Sequence, residues 1–324
     1  MTHHAVLGID IGGTKIAAGT IDPNGRVLSY IREPTPGHLD AEDLLDFTVA
    51  LAERARSESD IPPSAVGIGC GGPMVFPEGI VSPLHIPAWQ SFPLRARVAQ
   101  ALGLTAVLDN DAKAFALGEA LFGAGKGARC MLGMVVSTGV GGGIVANGRL
   151  FDGASGNAGH VGHMIVATRG PRCYCGGIGC LTVYASGTGL QARARAALKT
   201  GASSLLNDIP REELTGRAVA EAAAAGDALA LKLMRHAAHA LARAIAGAAN
   251  LLDLDRVVIG GGVAQSGELL FEPLQHELRR RACLSFSRDV EVRSAALGQE
   301  AGVVGAAGLV YQQSAEVPTL SAVH

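Results

Sequence analysis

Short apolar runs and amphipathic stretches alternate along the chain and predict strands interleaved with helices. The runs at 5–10 and 16–21 are separated by a glycine turn and predict a β-hairpin. Residues 39–56 place apolar side chains at helical spacing among Asp and Glu, with acidic residues in the first turn, where a helix dipole favours them. Up to residue 122 the pattern also predicts a strand at 65–70, a long Gly- and Pro-rich loop at 71–93, a helix at 94–102, a strand at 105–108 and a helix at 113–122.

A strand, a glycine turn and a returning strand recur in the second part of the chain. The strand at 131–136 enters a Thr-Gly turn and returns at 144–145. This repeat of the opening hairpin predicts two related halves. The pattern next predicts a mostly helical, Ala-rich stretch at 182–252, clearest over 227–252, a strand at 257–259 that leads into another glycine turn, and a closing helix at 299–311.

Size and composition favour a globular protein of about two domains with a cleft between them. The 324 residues are 48% hydrophobic and 17% charged, which is typical of globular proteins. The formal net charge of −2 gives no basic face for nucleic acid or an anionic membrane. No run reaches the roughly 18 apolar residues of a membrane span, and the first residues lack a signal-peptide pattern. We therefore expect a cytoplasmic protein without nucleic-acid or membrane partners.

Three glycine turns are candidate phosphate-binding sites, because a glycine backbone can approach a ligand closely. The first, Asp10-Ile11-Gly12-Gly13-Thr14-Lys15, adds donors from its Thr and Lys side chains, and its spacing fits neither a Walker loop nor a dinucleotide fingerprint. The second, Ser137-Thr138-Gly139-Val140-Gly141-Gly142-Gly143, repeats the arrangement. The third, Gly260-Gly261-Gly262, follows a strand at a place where an adenosine could lie. Ordinary turns and tight packing remain the alternatives for all three.

Asn110 and Asp111 follow the strand predicted at 105–108 and precede a helix, where side chains project into a cleft. Asp111 could act as a general base that takes the proton of a hydroxyl attacking a γ-phosphate, and Asn110 could orient the same substrate. Helix capping by either residue is the alternative, and both roles can hold together.

A histidine and three cysteines form a candidate zinc site. His163 is followed by Cys173, Cys175 and Cys180 within a glycine-rich segment, and thiolate and imidazole are the ligands of a tetrahedral structural Zn²⁺. Four protein ligands would close the site, so the metal would hold structure. A disulfide pair with a spare thiol is the alternative.

Taken together, these residues resemble the ROK (repressor, open reading frame, kinase) family of sugar kinases. The match runs from Asp10 to about Gly308. It includes the Asp-x-Gly-Gly-Thr-Lys turn, the Asn-Asp-Ala triplet, the Thr-Gly-x-Gly-Gly-Gly loop, the Gly162-His163 pair, the Cys-x-Cys-Gly-x-x-Gly-Cys knuckle and the segment Tyr184-Ala185-Ser186-Gly187.

The resemblance implies an α/β protein with the actin-like ATPase (ribonuclease H-like) fold, in which two α/β domains surround a nucleotide and sugar cleft. It implies a first domain over 1–117, a larger second domain over 118–298 that contains the zinc knuckle, and a final helix at about 299–313 that packs on the first domain. The activity it implies is ATP- and Mg²⁺-dependent phosphorylation of a hexose, glucokinase-like and commonly at the 6-hydroxyl, by a homodimer or homotetramer.

The resemblance also assigns roles to individual residues. Asp111 would be the catalytic base, and His163 would bind Zn²⁺ through one ring nitrogen and a sugar hydroxyl through the other. The expected sugar ligands are Gly72, His85, Asn110, Asp111, His160, His163 and Thr182. The expected residues around ATP and Mg²⁺ are Asp10, Gly12, Gly13, Thr14, Lys15, Thr138, Gly139, Gly261 and Gly262, and the zinc ligands are His163, Cys173, Cys175 and Cys180.

Three positions depart from the family pattern. The family's Gly-Glu-x-Gly-His motif is replaced by Gly159-His160-Val161-Gly162-His163, and Thr182 replaces a second glutamate after the last cysteine. His85 stands where a smaller polar residue is expected. Because the two glutamates would accept hydrogen bonds from sugar hydroxyls, their loss affects substrate choice and leaves phosphoryl transfer intact.

Glucose-type hexoses are the first expectation, and amino sugars, N-acetylhexosamines and sugar-like cyclitols are the alternatives. A sugar-sensing regulator is a hypothesis of another class. Such members of the family carry an added N-terminal helix-turn-helix domain, whereas the phosphate turn here begins at Asp10, and we expect no basic patch for DNA. A catalytically silent sugar binder is a third hypothesis, suggested by the two lost glutamates.

Overall fold

The computed structural model describes residues 4–314, and these residues divide into two compact units. The first unit comprises residues 4–122 and 299–314, and the second comprises residues 123–298. The chain therefore leaves the first unit once and returns to it near its end.

The first unit is an α/β unit built on one five-stranded sheet. The sheet contains β1 (Val6–Ile11), β2 (Lys15–Ile21), β3 (Val27–Pro34), β4 (Ala65–Cys70) and β7 (Thr105–Asn110). The short strands β5 (Met74–Val75) and β6 (Ile80–Val81) form a separate two-stranded sheet. The helices of this unit are α1 (Ala41–Ser57), α2 (Leu94–Leu102) and α3 (Asp111–Phe122), joined by the final helix described below. The strand order is β3-β2-β1-β4-β7, with β1, β2 and β3 antiparallel and β1, β4 and β7 parallel.

The second unit repeats this topology on a second five-stranded sheet. Its strands are β8 (Cys130–Val136), β9 (Val140–Ala146), β10 (Arg149–Leu150), β11 (Arg256–Gly260) and β12 (Glu291–Ser294), and its helices are α4 (Thr182–Ala185), α5 (Gly187–Lys199), α6 (Gly216–Ala224), α7 (Ala228–Leu252) and α8 (Glu268–Arg281). The order is β10-β9-β8-β11-β12, again with an antiparallel hairpin beside parallel strands. Two related halves were expected from the repeated glycine turns, and the shared topology confirms them.

The last helix, α9 (Ala301–Ser314), packs on the sheet of the first unit. The packing is so close that a methyl group at Gly67 of β4 would overlap the carbonyl of Ala306. A side chain at Gly302 would likewise overlap the carboxylate of Asp10, so the first turn of α9 lies against the end of β1. Glycine at these positions is therefore required by the close approach of helix and sheet.

Helix α7 forms much of the core of the second unit, because its Ala-rich face is buried over most of its length. Asp227 caps its N-terminus and accepts hydrogen bonds from Ala230 N, Leu205 N and Ser204 Oγ at 2.8, 2.8 and 2.9 Å. Burial alone would raise the pKa of Asp227, but these hydrogen bonds to its carboxylate outweigh burial and lower the pKa below its ordinary value.

The sequence pattern predicted most elements but missed the strands β3, β10 and β12. Strand β3 carries polar residues on both of its faces, so it lacks the alternation that marks a half-buried strand. Ser29 of β3 is buried, accepts a hydrogen bond from Thr20 N at 3.1 Å and donates one to Ala55 O at 2.6 Å. The 71–93 stretch also contains the short β5–β6 hairpin rather than loop alone. Within residues 4–314, none of the helices combines the length and apolar character needed to cross a bilayer.

Candidate active site and zinc knuckle

In the first unit, the parallel strands bring several of the predicted residues to one edge of the sheet. Ile11, Cys70 and Asn110 are register partners at the ends of β1, β4 and β7. The chain segments that follow these three strand ends are the Asp10–Lys15 turn, the 71–93 loop and the start of α3. This edge therefore gathers the Asp10–Lys15 turn, the 71–93 loop and Asp111, the residue that the sequence predicts as the base.

The Asp10–Lys15 turn is a tight hairpin whose backbone is tied to the strand beside it. Gly12 N donates to Lys15 O at 3.0 Å, and Thr35 donates from its hydroxyl to Gly12 O at 2.6 Å and from its backbone N to Thr14 O at 3.2 Å. Thr35 was not singled out from the sequence, because its contact with the turn depends on the pairing of β2 with β3. These contacts hold the turn in one conformation.

The 71–93 loop folds back onto this turn and onto the start of α3. A side chain at Gly13 would overlap the Cβ of His85, and a Cβ at Gly72 would lie 4.0 Å from Asn110 Nδ2. The structure thus brings His85 against the Asp10–Lys15 turn and Gly72 beside Asn110. In each of these two contacts, a residue of the 71–93 loop meets a residue that is distant in the sequence.

Two carboxylates at this edge act on each other electrostatically. Burial, and next the nearby carboxylate of Asp111, raise the pKa of Asp10 to about 6, while the Lys15 ammonium opposes the shift. Lys15 Nζ lies 3.9 Å from Asp10 Oδ2. A partly buried pair of carboxylates is a setting that a divalent cation with a preference for oxygen ligands would stabilise, so the donor set fits Mg²⁺.

Asn110 and Asp111 also serve as local caps for α3. Ala112 N donates to Asn110 Oδ1 at 3.0 Å and to Asp111 Oδ1 at 2.8 Å, and Lys113 N lies 3.4 Å from Asn110 Oδ1. The capping role that the sequence left open is therefore present. It uses Oδ1 of each side chain, which orients both residues at the start of the helix.

An ion pair that sequence reasoning missed flanks these two residues. Asp109 Oδ2 lies 2.7 Å from Lys113 Nζ, and their side chains are only 6% and 1% exposed. Asp109 Oδ1 also accepts from Asn110 N at 2.7 Å. Lys113 Nζ lies 5.2 Å from the centre of the Phe76 ring, within the 71–93 loop. The sequence signal that could have revealed this ion pair was the four-residue spacing of Asp109 and Lys113 on either side of Asn110 and Asp111.

In the second unit, the Ser137–Gly139 turn lies beside two other glycine segments. Ser137 N donates to Gly139 O at 2.9 Å, and Gly187 N of α5 donates to Ser137 O at 2.7 Å. Gly261 has a φ of +93° and passes so close to β8 that a Cβ there would lie 2.5 Å from Val136 O. A Cβ at Gly262 would lie 3.9 Å from Ser137 Oγ. The second and third glycine turns are therefore neighbours at the end of β8.

The four predicted zinc ligands come together in the second unit. Their ligand atoms all lie within 4.8 Å of one another. Cys175 Sγ is 3.7 Å from Cys180 Sγ, and Cys173 Sγ is 3.7 Å from His163 Nδ1. All six cysteines of the chain are free thiols. A tetrahedral Zn²⁺ with bonds of about 2.3 Å to sulfur and 2.0 Å to nitrogen separates its ligand atoms by about 3.5 to 3.8 Å, so the donor set fits this ion.

The thiols are closely crowded, which bears on their protonation. Burial, followed by the neighbouring thiols of Cys175 and Cys173, raises the pKa of Cys180 to about 12. The pKa of Cys175 is lowered, and the largest cause is a hydrogen bond from the backbone of Gly177. Three thiolates at this spacing repel one another, and a divalent cation between them removes that repulsion.

The second nitrogen of His163 already has a partner within the knuckle. Tyr174 Oη lies 3.1 Å from His163 Nε2, and the two rings meet edge to face at 5.2 Å. The tyrosine, which is 72% exposed, thus occupies the nitrogen that the resemblance assigns to a sugar hydroxyl. Tyr174 was missed in the sequence because it lies between two cysteines and shows no pattern of its own.

The two positions that lack the family's glutamates, His160 and Thr182, lie in different environments. His160 is exposed, and its Nδ1 lies 2.9 Å from Asn157 O. Its other ring nitrogen, Nε2, does not take part in this contact. Thr182 begins α4 and is only 4% exposed. His160 is thus the more accessible of the two to a ligand.

Comparison with known proteins gives a consistent result. The ROK family model matches residues 6–313. A glucokinase of Thermotoga maritima is 35% identical over 313 residues, which cover 95% of this chain and 98% of that protein. An N-acetylmannosamine kinase of Citrobacter koseri is 33% identical and covers 94% and 97%.

A solved ROK family glucokinase from Streptomyces griseus, in complex with glucose and AMPPNP, superposes with a TM-score of 0.81 at 37% identity and covers 94% of this chain and 98% of that one. The actin-like ATPase fold implied by the resemblance is therefore confirmed. Sequence motifs, duplicated topology and full-length similarity agree, and the chain belongs to the ROK family.

Proposed function

We propose that this protein is an ATP-dependent sugar kinase that phosphorylates a hydroxyl of a hexose, with glucose as the first candidate and the 6-hydroxyl as the expected acceptor. The observation that carries the proposal is the meeting of the phosphate turn, the 71–93 loop and Asp111 at one sheet edge of a ROK family chain. The glucokinase of Thermotoga maritima and the glucose- and AMPPNP-bound glucokinase of Streptomyces griseus support the choice of reaction and donor.

In this proposal Asp111 is the general base. Its carboxylate accepts the proton of the sugar hydroxyl while the hydroxyl oxygen bonds to the γ-phosphorus of ATP and the bond from that phosphorus to the β,γ-bridging oxygen breaks. Asn110, held by its cap to the start of α3, orients the sugar through its amide, and Gly72 and His85 contribute from the 71–93 loop. The products are a sugar phosphate and ADP.

The phosphates of ATP would bind to backbone N–H groups and side chains of the glycine turns. In the first unit these are Gly12, Gly13, Thr14 and Lys15, with Asp10 as the residue toward Mg²⁺. In the second unit they are Thr138 and Gly139, with Gly261 and Gly262 toward the adenosine. Mg²⁺, when bound, neutralises the charge that develops on the transferred phosphoryl group.

We further propose that His163, Cys173, Cys175 and Cys180 hold a structural Zn²⁺, which fixes the tautomer and orientation of His163. His163, His160 and Thr182 would then contact the sugar from the second unit. Tyr174 Oη is hydrogen-bonded to His163 Nε2, so a sugar hydroxyl that binds through this nitrogen would replace the tyrosine hydroxyl.

The test is a coupled assay of ADP release with glucose, other hexoses, glucosamine, N-acetylmannosamine and a cyclitol, followed by NMR of the product. We expect the highest kcat/KM for glucose and phosphorylation at the 6-hydroxyl. Absence of turnover with every acceptor would refute the kinase proposal, and preference for N-acetylmannosamine would favour the activity of the Citrobacter koseri relative.

A matched substitution addresses the departures from the family pattern. His160→Glu restores the family's carboxylate at an exposed position, where packing is little affected. If position 160 contacts the sugar, this variant changes the ranking of acceptors while the KM for ATP stays the same. An unchanged ranking would remove His160 from the sugar site.

A further inference from the structure

Among the ion pairs described in the first unit, the Asp109–Lys113 pair is the most deeply buried, and the proposed reaction does not itself use it. Asp109 is the second-last residue of β7 and Lys113 lies in the first turn of α3. Their charged atoms are 2.7 Å apart, and both side chains are almost fully buried. Between them in the sequence stand Asn110 and Asp111, the proposed sugar ligand and base.

The pair closes a short loop around those two residues. One carboxylate oxygen of Asp109 binds the Lys113 ammonium, and the other accepts the N–H of Asn110 at 2.7 Å. The same carboxylate therefore fixes the end of the strand and the beginning of the helix. The peptide units that carry the Asn110 and Asp111 side chains lie between these two points of attachment.

The lysine also connects this loop to the 71–93 segment. Its ammonium lies 5.2 Å from the centre of the Phe76 ring, at a distance suited to a cation–π interaction. Phe76 is in the turn between β5 and β6, and Gly72 of the same segment approaches Asn110 Nδ2. One buried cation thus contacts both the strand-to-helix junction and the loop expected to bind the sugar.

Stability alone is a poor explanation for such a pair. Desolvating two charges is costly, and replacing a buried ion pair with uncharged side chains of similar size is often neutral or stabilising. An ion pair whose two charged groups are both held in place does, however, fix the orientation of the backbone between them. Reaction rates are sensitive to placement, since an error of about 1 Å in a reacting group can cost roughly a hundredfold.

We propose that the Asp109–Lys113 pair, with the Phe76 ring, is a positioning device that holds Asp111 and Asn110 at the geometry required for phosphoryl transfer. This inference rests on the proposed sugar kinase function. Lys113, Asp109 and Phe76 act through Asp111 and Asn110, and contact with substrate is not part of their role.

The test is a double-mutant cycle with Lys113→Met, Asp109→Asn and the double variant, measured by urea unfolding and by steady-state kinetics. Asn at 109 keeps an oxygen for the Asn110 N–H while removing the charge. Each single variant removes one charge of the pair and leaves the other buried without that opposite charge, so we expect a lower unfolding midpoint, and the double variant should recover much of it. The kcat of the double variant should nevertheless stay about tenfold or more below that of the wild type, with the KM for ATP within about twofold.

A matched control comes from the second unit. Glu277 and Arg281 form an ion pair at the same spacing of four residues, at 2.7 Å and with a carboxylate that is 4% exposed. Glu277→Gln with Arg281→Met should change the unfolding midpoint and leave kcat unchanged.

Phe76→Leu gives a readout that does not depend on the folding of the charge variants. It keeps an apolar side chain of similar size and removes the ring face, so the KM for sugar should rise by more than the KM for ATP. Recovery of wild-type kcat in the Lys113 and Asp109 double variant, together with its stability, would overturn the proposal and leave the pair a purely structural feature. Activity of the wild-type protein is scored separately and decides the proposed function itself.

Discussion

Cys175 offers a direct way to test whether the cysteine cluster holds a metal that matters for sugar binding. Cys173 and Cys180 are only 5% and 1% exposed, so their substitution would disturb packing as well as ligation. Cys175 is exposed, and Cys175→Ser therefore removes a thiolate with little change in buried surface. A loss of stability in this variant reports on the metal rather than on the core.

The size of the effect follows from the number of ligands. Structural zinc contributes about 10 to 16 kcal/mol in zinc-finger peptides, and the cluster supplies four ligands. One quarter of the lower end is about 2.5 kcal/mol, which corresponds to roughly 70-fold weaker zinc binding. Because zinc binds the folded chain, the same change should lower the unfolding temperature at limiting metal.

Three measurements on one preparation separate the consequences. Competition with a chromogenic chelator gives the zinc affinity, a thermal melt gives the stability, and steady-state kinetics give the KM for sugar and for ATP. We expect the KM for sugar to rise more than the KM for ATP, since loss of zinc releases His163 from its fixed orientation. Cys283→Ser is the matched control, because Cys283 is also an exposed free thiol and lies outside the cluster.

Two results would contradict this reasoning. Equal zinc affinity in the Cys175→Ser and Cys283→Ser variants would show that the cluster is not the zinc site. Equal increases in the KM for sugar and for ATP would refute the dual role of His163, even if zinc were lost.

Other expected outcomes concern the base, the knuckle tyrosine and a helix cap. Asp111→Asn should lower kcat by about 10²- to 10⁴-fold with an unchanged thermal melt; a smaller loss would favour a role in capping alone. Tyr174→Phe frees the nitrogen of His163, so the KM for sugar should fall by severalfold, while a rise would mean that the tyrosine hydroxyl binds the sugar itself. Asp227→Ala should lower the unfolding free energy by about 2 kcal/mol near neutral pH. Since the folded-state pKa of Asp227 is lowered, its contribution is present above about pH 4 and is lost as the pH falls further, so urea titrations should converge in acid; a constant difference would contradict the hydrogen-bonded carboxylate.

Local chemistry made much of this molecule predictable from its sequence. Apolar runs around glycine turns predicted both hairpins, and the spacing of His163 and the three cysteines predicted a cluster whose ligand atoms do converge. The contact of His85 with Gly13 was not predictable, because it depends on how a long loop packs over a sheet edge. The Asp109–Lys113 pair shows a different limit, since its four-residue spacing resembles an ordinary helical surface pair until the junction of β7 and α3 buries it.

The return of α9 to the first unit has a consequence for the order in which the protein can be made. The second unit is continuous over 123–298, so it can complete its core as soon as that segment leaves the ribosome. The first sheet is translated earlier, but part of one of its faces stays uncovered, because the space over Gly67 is filled by Ala306 and its neighbours in α9. The unit that carries Asp111 is thus the first to be synthesised and the last to be finished, and a nascent chain that stops before residue 301 exposes that sheet to chaperones or to aggregation.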